Sequence, residues 1–381
     1  MDKRRVFCVV RAAMLTAFAV CAGGRALAQG SGGPAPGRPR ALYAAGAEDN
    51  SIGNAVAMVW KIDGSRVTSL ALTDGTQSAE VLGLAESGGS LYAAGRTYNG
   101  AANVATVWKI DGSTVTSLAL TGGTQEAQAE GIALSGDSIY AAGVEAISGR
   151  YAARVWKIDG STVTPIPLTG GTQSGGWVKG ITESGGSIYA AGFEGDYGDN
   201  AVAVVWKIDG STVTPIPLTS GTQDAYVLGI TAGGDSIYVM VSEAAGDGYA
   251  ARVWKIDGST VTPIALTGRT RDATVWGISE SGGSIYAAGN EFTGRTNAAM
   301  VWKISGSTAT PIPLTTGEMW DYGEAAGIAA SGGALYAAGW RSSGGGRHAT
   351  MWEISGSRVT PLALTDGTRD SSANAVIVRR E

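Results

Sequence analysis

Five glutamates at one recurring position are the first side chains in this 381-residue chain that could do chemistry. Each stands two residues after a Tyr-Ala-Ala-Gly segment or its equivalent, and we call the set the acidic ring: Glu48, Glu145, Glu194, Glu243 and Glu291. Five carboxylates on one face would attract a cation or a basic partner. The alternative is that each accepts hydrogen bonds from the backbone of its own loop. We expect no resident cofactor. The one bound ion that the acidic ring suggests is Ca²⁺.

Six aromatic residues that interrupt the otherwise regular sequence form a second group: Trp177, Tyr226, Trp276, Trp320, Tyr322 and Trp340. Trp and Tyr combine a large apolar surface with a polar tip, and they dominate the binding energy of many interfaces. We predict that these six residues bind a ligand. The alternative is a structural role, in which they plug a central channel or cover the edges of the repeated units.

Evidence for catalysis is weak. The carboxylate pair of a glycoside hydrolase could lie among the polar residues near these aromatics: Arg150, Asp196, Tyr197, Asp199, Arg269, Arg271, Asp272, Asp321 and Arg347. The single histidine, His348, excludes a multi-histidine metal site, and the sequence contains neither a serine-nucleophile elbow nor a phosphate loop. The sequence favours a protein without enzymatic activity and leaves an enzymatic role as the alternative.

A long repeat supplies the elements that would position these residues. Seven tryptophans recur at intervals of 48, 48, 50, 48, 48 and 50 residues: Trp60, Trp108, Trp156, Trp206, Trp254, Trp302 and Trp352. One unit has four runs of strand character, which we call a, b, c and d: residues 180–183, 188–192, 204–208 and 212–219. Four strands per unit of this length are typical of a propeller blade. The sequence predicts an all-β fold, a seven-bladed β-propeller with four antiparallel strands per blade, over residues 41–381. A β-helix is the structural rival.

The repeat also predicts which strand lies outside and which face carries function. All eight prolines beyond residue 40 lie in strand d, and proline favours edge strands. The d–a and b–c connections vary, whereas the a–b and c–d turns are nearly identical. We call the first side the variable face and the second the turn face. Loops on a rigid scaffold carry recognition, so we expect the site on the variable face; the alternative is sequence drift. Of the six aromatics, we place Trp340 in a b–c loop and the other five in d–a loops.

The two ends of the propeller are expected to complete one blade. Residues 42–46 have the pattern of a strand b with no strand a before it. Residues 373–378 have the pattern of a strand a with no strand b after it. The N- and C-terminal strands would therefore close the ring together.

Residues 1–28 predict a secretory signal peptide, with a basic start, an apolar run and Ala26-Leu27-Ala28 at the cleavage site. Residues 29–40 are rich in Gly and Pro and predict a flexible tether. The chain after residue 28 has no cysteine and carries 23 basic and 32 acidic residues, a net charge of −9. This charge argues against nucleic acid, and no other segment is suited to cross a membrane. We expect a secreted monomer, periplasmic or extracellular.

Three segments of the unit carry a resemblance to a known group: residues 140–143, 155–158 and 168–172. They resemble the bacterial secreted tandem-repeat proteins with Tyr-Val-Ala-Gly and Trp-Lys-Asn-Gly repeats, over about residues 41–378. The chain is similar to kelch propellers only in architecture, because the double-glycine signature of kelch is not matched. The resemblance implies a propeller and secretion, and it implies no reaction.

These patterns together predict a secreted, non-enzymatic binding or scaffold propeller that recognises a protein or glycan through the variable face. The alternative is a propeller hydrolase or lyase that acts on a carbohydrate polymer with a carboxylate pair. A self-associating surface protein without a discrete ligand is a third possibility.

Overall fold

Twenty-eight strands in seven four-stranded sheets make up the part of the chain that the structure describes. The computed structural model describes residues 40–169, 175–196, 198, 200–245, 248–266, 273–306, 308–331, 333–343 and 346–380. The predicted signal peptide, and the predicted tether except Arg40, lie outside these residues. Within them no helix could span a membrane.

Each sheet is one blade, in which strands a to d pair in order and antiparallel from the centre outwards. In blades 1 to 7, strand a is β28 (Ser371–Arg380), β4 (Ala79–Ser87), β8 (Ala127–Ser135), β12 (Gly176–Ser184), β16 (Ala225–Gly233), β20 (Ala273–Ser281) and β24 (Gly323–Ser331). Strand b is β1 (Arg40–Asp49), β5 (Ser90–Tyr98), β9 (Ser138–Ile147), β13 (Ser187–Glu194), β17 (Ser236–Ala245), β21 (Ser284–Phe292) and β25 (Ala334–Ser343).

The outer strands follow the same order of blades. Strand c is β2 (Ala55–Asp63), β6 (Asn103–Asp111), β10 (Arg150–Asp159), β14 (Val202–Asp209), β18 (Gly248–Asp257), β22 (Asn297–Ser305) and β26 (Gly346–Ser355). Strand d is β3 (Arg66–Ala71), β7 (Thr114–Ala119), β11 (Thr162–Pro167), β15 (Thr212–Pro217), β19 (Thr260–Ala265), β23 (Thr308–Pro313) and β27 (Arg358–Ala363). Each strand a packs on that of the next blade, and β28 packs on β4, so the ring closes. The seven-bladed β-propeller is confirmed.

The apolar cores lie between neighbouring blades and are built around the recurring tryptophans. Trp108 of blade 2 packs against Val59 of blade 1, and Trp206 of blade 4 packs against Val155 of blade 3. Six of the seven tryptophans are at most 1% exposed. The seventh, Trp254, is half-buried, and its indole N–H donates to Glu243 at 2.8 Å. One large aromatic per blade thus holds the ring together.

Strand a contains a β-bulge in every blade. In blade 2, Val81 pairs with Gly95 and Gly83 pairs with Ala94, so Leu82 has no partner in the ladder. The same shift recurs in the other six blades. A Cβ on Gly95 would overlap the carbonyl oxygen of Glu80 in strand a. This crowding explains the glycine that ends the Tyr-Ala-Ala-Gly segment in six blades.

The predicted edge position of the prolines is confirmed, because strand d is the outermost strand of every blade. In blade 3, Pro165 lies opposite Trp156 and Pro167 opposite Arg154. No further strand of the same sheet pairs beyond them, so the missing N–H groups cost no ladder hydrogen bond. Proline at this edge also blocks pairing with another chain.

The predicted closure of the ring is confirmed too. β28 pairs with β1 from Arg40 opposite Arg380 to Glu48 opposite Ser371, and it forms the innermost strand of blade 1. The Asn374 amide, on this strand, donates to Glu80 Oε1 and to the Val81 carbonyl of blade 2, both at 2.9 Å. The C-terminal strand therefore joins two blades without a covalent bond.

The turn face is uniform because its repeated residues bond to one another. The Ser138 hydroxyl, after an a–b turn, donates to Asp159 at a c–d turn at 2.6 Å, and Ser187 donates to Asp209 at 2.5 Å. The Ser138 hydrogen bond lowers the pKa of Asp159, with a further contribution from Lys157. These contacts fix one hairpin to the next, so the uniformity of this face has a structural cause.

Candidate functional site

In the part of strand a nearest the variable face, variation between blades is concentrated at two positions. The second residue in blades 1 to 7 is Ser372, Glu80, Gln128, Trp177, Tyr226, Thr274 and Glu324. The fourth is Asn374, Leu82, Glu130, Lys179, Leu228, Trp276 and Ala326. The third and fifth residues are always Val, Ala or Gly. Because strand a is innermost and begins at the variable face, these positions lie round the centre of the ring, near that face.

Blades 1 to 4 join at this level through a set of side chains that we call the inner polar network. Its members are Glu80, Arg96, Gln128, Glu130, Trp177, Lys179 and Asn374. Arg96 bridges Glu80 at 2.9 Å and Gln128 at 3.1 Å. The Gln128 amide, the Trp177 indole N–H and the Lys179 ammonium all donate to Glu130 Oε1, at 2.6, 2.7 and 2.9 Å.

The ion pair at the centre of this network is deeply buried. Glu130 is 2% exposed and Lys179 is 4% exposed. Burial lowers the pKa of Lys179, while the charge of Glu130 opposes that change. Burial likewise raises the pKa of Glu80, against the charge of Arg96. Buried charges of this kind are tolerated only when paired, so the network holds its side chains in one arrangement.

A second buried carboxyl lies in blade 7. Glu324 is 7% exposed, and its Oε2 accepts a hydrogen bond from the Asn290 amide at 3.2 Å. Its Oε1 has no hydrogen-bond partner among the described residues. Burial raises the pKa of Glu324 to about 7, although the charge of Arg347 acts in the opposite direction.

Glu324 is expected to make the stability of the protein pH-dependent. Its pKa rises from 4.5 when exposed to about 7 when folded. The contribution of the protonated Glu324 carboxyl to the free energy of unfolding is therefore fully present below pH 4.5 and is lost as the pH rises through about 7. A difference of about 2.5 in pKa corresponds to about 3 kcal/mol. Glu324→Gln keeps the acceptor for Asn290 and cannot ionise. It should raise the free energy of unfolding by up to about 3 kcal/mol at pH 8 and change it little at pH 4.

Urea unfolding at both pH values measures this effect. Glu183→Gln, which removes a carboxylate at the turn face, is the control and should show no gain that depends on pH. An equal gain for Glu324→Gln at pH 4 and pH 8 would argue against the raised pKa.

The six predicted ligand-binding aromatics do not form one exposed set. Trp177, Tyr226 and Trp276 lie in strand a rather than in d–a loops, and Trp340 lies in strand b rather than in a b–c loop. Trp276 is 4% exposed and belongs to the core between blades 5 and 6. Tyr226 and Trp340 are each 8% exposed, and Trp177 and Tyr322 are half-buried. Only Trp320 is exposed, at 76%.

The structure brings these aromatics into two clusters and one exposed tip. In blades 4 and 5, Trp177 and Tyr226 pack with Phe193, and the Tyr226 ring meets Phe193 edge-on at 5.2 Å. In blade 7, Tyr322 meets Trp340 edge-on at 5.9 Å. The Arg347 guanidinium lies over the Trp340 ring, 4.7 Å from its centroid.

A cleft of about 320 Å³ opens beside the first cluster, between blades 3 and 4 at the variable face. Its lining comprises Arg150 and Tyr151 of blade 3, Trp177, Phe193 and Asp196 of blade 4, and four glycines. Tyr151 is 47% exposed, and its ring centroid lies 5.3 Å from that of Trp177. Sequence reasoning missed Tyr151 and Phe193. They lie at the b–c ends of β10 and β13, in stretches that the repeat pattern assigns to the variable connections.

The exposed tip is residues 317–321, in the connection from β23 to β24. The Asp321 N–H donates to the Glu318 carbonyl and the Gly317 N–H to the Asp321 carbonyl, both at 2.9 Å. Arg341 bonds to the Asp321 side chain at 2.7 Å. These contacts hold a tight turn whose two central residues, Met319 and Trp320, are 62% and 76% exposed.

Exposed large apolar side chains are confined to one face. Among the described residues there are five, and all of them lie in or beside d–a or b–c connections: Ile52, Tyr151, Phe292, Met319 and Trp320. Single exposed apolar side chains are normal on protein surfaces, so the informative feature is their restriction to one face rather than their number. The variable face therefore differs chemically from the turn face.

The acidic ring lies within strand b, near its end, rather than in a loop. All five glutamates are half-buried. Glu145 pairs with Arg154 at 3.1 Å and Glu243 with Arg252 at 2.8 Å, each within its own blade. Burial raises the pKa of Glu48. No group of three or more His, Cys, Asp or Glu in the described ranges is placed to hold a metal ion. The geometry thus gives no support to a shared Ca²⁺ site.

A larger cavity, of about 840 Å³, opens at the turn face, where the inner strands of six blades end. Glu86, Glu183 and Glu280 line it. Each accepts the backbone N–H of the glycine three residues later, at 3.2, 2.8 and 2.7 Å. These carboxylates stabilise their own turns. The sequence analysis did not predict a cavity at the turn face.

The cleft offers little to hydrolytic chemistry. Asp196 is the only carboxylate among its described lining residues, and it pairs with Arg150 at 3.7 Å. A glycosidase needs two carboxyl groups across the scissile bond. Five residues that the sequence suggested, Tyr197, Asp199, Arg269, Arg271 and Asp272, lie outside the described residues.

No protein-family model and no curated protein matches this chain in sequence.

Proposed function

We propose that this protein is an exported, non-catalytic binding propeller that engages a protein or a glycan through its variable face. The observation that carries the proposal is that, among the described residues, the exposed large apolar side chains all lie at that face. Exposed Trp and Tyr provide much of the binding energy in interfaces. The resemblance of the repeat units to bacterial secreted tandem-repeat proteins, and the signal-like residues 1–28, support export.

The tip supports the same role. Met319 and Trp320 stand on a turn fixed by backbone hydrogen bonds and by Arg341. The backbone beneath these side chains is already ordered, so a partner that covers them does not have to order the turn, and more of the contact energy remains for affinity. We therefore expect Trp320 to be an anchor of the binding face.

The test is binding to an immobilised panel of neutral and acidic polysaccharides and native proteins. Wild-type protein should bind at least one member, and Met319→Ser with Trp320→Ser should weaken that binding more than tenfold, since an interface anchor contributes about 2 kcal/mol or more. The control replaces two exposed turn-face residues, Arg66→Ala with Arg358→Ala, and should bind as wild type. Binding lost only in the turn-face variant, or no binding to any member, would contradict the proposal.

A further inference from the structure

We propose that the cleft between blades 3 and 4 binds one uncharged sugar ring of the partner, with Tyr151 as its stacking platform. This inference rests on the proposed function and assigns a ligand class to one part of the variable face. The cleft lies in a different part of the ring from the Met319–Trp320 tip, which connects blades 6 and 7.

The first argument is the fixed orientation of the aromatic wall. The Trp177 indole N–H donates to Glu130 at 2.7 Å, and the Lys179 ammonium lies 4.1 Å from the centroid of the Trp177 ring. Glu130 and Lys179 are themselves 2% and 4% exposed. The Tyr151 ring leans on Trp177 at 43°, with 5.3 Å between centroids. The polar network thus holds Trp177 in place before any ligand arrives, and the Tyr151 ring packs on this fixed indole.

The second argument is the space that glycine leaves beside that wall. Strand a begins with Gly176 in blade 4, where blades 2, 3, 5 and 6 have alanine. A Cβ there would lie 3.0 Å from Thr169 Cγ2, and a Cβ on Gly175 would lie 2.5 Å from Asp196 Oδ1. A larger residue at position 175 would therefore displace Asp196 from the cleft, whereas one at position 176 would press on Thr169 of blade 3. The volume of about 320 Å³ is at the low end of small-molecule sites, so the cleft suits one ring rather than an extended segment.

The third argument is the polar groups at the opening. Arg150 and Asp196 are 51% and 60% exposed and stand 3.7 Å apart, a loose pair that leaves donors and acceptors available to a ligand. Their charges cancel, which favours an uncharged ligand over a phosphate or a carboxylate. A pyranose has apolar C–H faces and a rim of hydroxyls, so it matches a stacking surface flanked by a donor and an acceptor. An apolar peptide side chain would leave Arg150 and Asp196 unused.

The experiment titrates the ¹⁵N-labelled protein with methyl glycosides of glucose, galactose, mannose and N-acetylglucosamine. The indole N–H signal of Trp177, identified by its loss in Trp177→Phe, reports binding. At least one glycoside should shift this signal saturably. Tyr151→Ala should raise the Kd at least tenfold, and Tyr151→Phe, which keeps the ring, should retain the Kd within about threefold. The matched control is Tyr98→Ala, a half-buried tyrosine beside a b–c connection of blade 2, which should bind as wild type.

The result that overturns the proposal is a Trp177 signal that no glycoside shifts, or a Kd that Tyr151→Ala leaves unchanged. Either result is distinct from failure of the proposed function. If a panel member still binds and loses affinity only with Met319→Ser and Trp320→Ser, the variable face binds a partner and the sugar cleft alone is wrong. If the panel member and the glycosides both fail to bind, both proposals are wrong.

Discussion

Removal of residues 371–381 is expected to abolish cooperative folding of the propeller. This deletion takes away β28, the innermost strand of blade 1, together with its entire ladder to β1. The deletion would expose to water the apolar surface that this strand covers. Four of its apolar side chains are at most 7% exposed: Ala373, Ala375, Val376 and Ile377. Glu80 would also lose the Asn374 amide in a buried site. These losses fall together on a fold whose net stability is typically only ~5–15 kcal/mol, and β1 would become an exposed edge.

Calorimetry of the truncated and complete proteins measures this effect. The control ends the chain after Arg379 and keeps the ladder pairs from Arg379 to Ser371, so it should melt close to wild type. A synthetic peptide of residues 371–380, added to the truncated protein, should restore a cooperative transition. A truncated protein that melts cooperatively at the wild-type temperature would mean that the ring does not depend on its C-terminal strand.

Lys179→Met is expected to destabilise the protein by about 3–5 kcal/mol, because it leaves the Glu130 carboxylate buried without its cation. Glu130 is 2% exposed, and its Oε1 is the acceptor on which Gln128, Trp177 and Lys179 converge. Adding Glu130→Gln removes the charge and keeps an acceptor for Gln128 and Trp177. The double variant should therefore recover most of the lost stability. Chemical denaturation followed by circular dichroism gives the three free energies.

The matched control is Lys207→Met, which breaks an exposed ion pair with Asp209 on strand c of blade 4. Exposed pairs contribute ~1 kcal/mol or less, so this variant should differ little from wild type. If Lys179→Met were no more harmful than Lys207→Met, or if the double variant were as unstable as the single one, the buried ion pair would not be what holds the inner polar network.

Most of the fold could be predicted because each blade repeats the same physical constraints. The spacing of the tryptophans marks one large core residue per blade, and the prolines mark the edge strand. The unmatched strands at residues 42–46 and 373–378 indicated which blade closes the ring. Strand bounds were less accurate: in blade 4, strand a covers Gly176–Ser184 rather than residues 180–183. The first half of strand a was assigned to a loop because its residues differ from blade to blade and show no regular apolar alternation.

The candidate site was harder to predict because of the bulge in strand a. A strand normally points alternate residues to opposite sides, and a bulge interrupts this alternation. Trp177 precedes the bulge and forms a wall of the cleft, whereas Trp276 occupies the bulge position and enters the core. The aligned repeats place the two tryptophans two positions apart, which simple alternation would put on the same side of the sheet. Glu130 and Lys179 form an ion pair between different blades, 49 residues apart in the chain. Sequence alone does not show that these two side chains meet.

Side-chain footprinting with hydroxyl radicals tests the binding face most directly. The protein is oxidised alone and when bound to the panel member that it recognises. Our account predicts protection of Met319, Trp320 and Tyr151, all exposed at the variable face. It predicts no change at Tyr92, Tyr140 and Tyr189, which lie near the start of strand b, beside the turn face. Protection of these three tyrosines, with Met319 and Trp320 oxidised as in the free protein, would contradict the account.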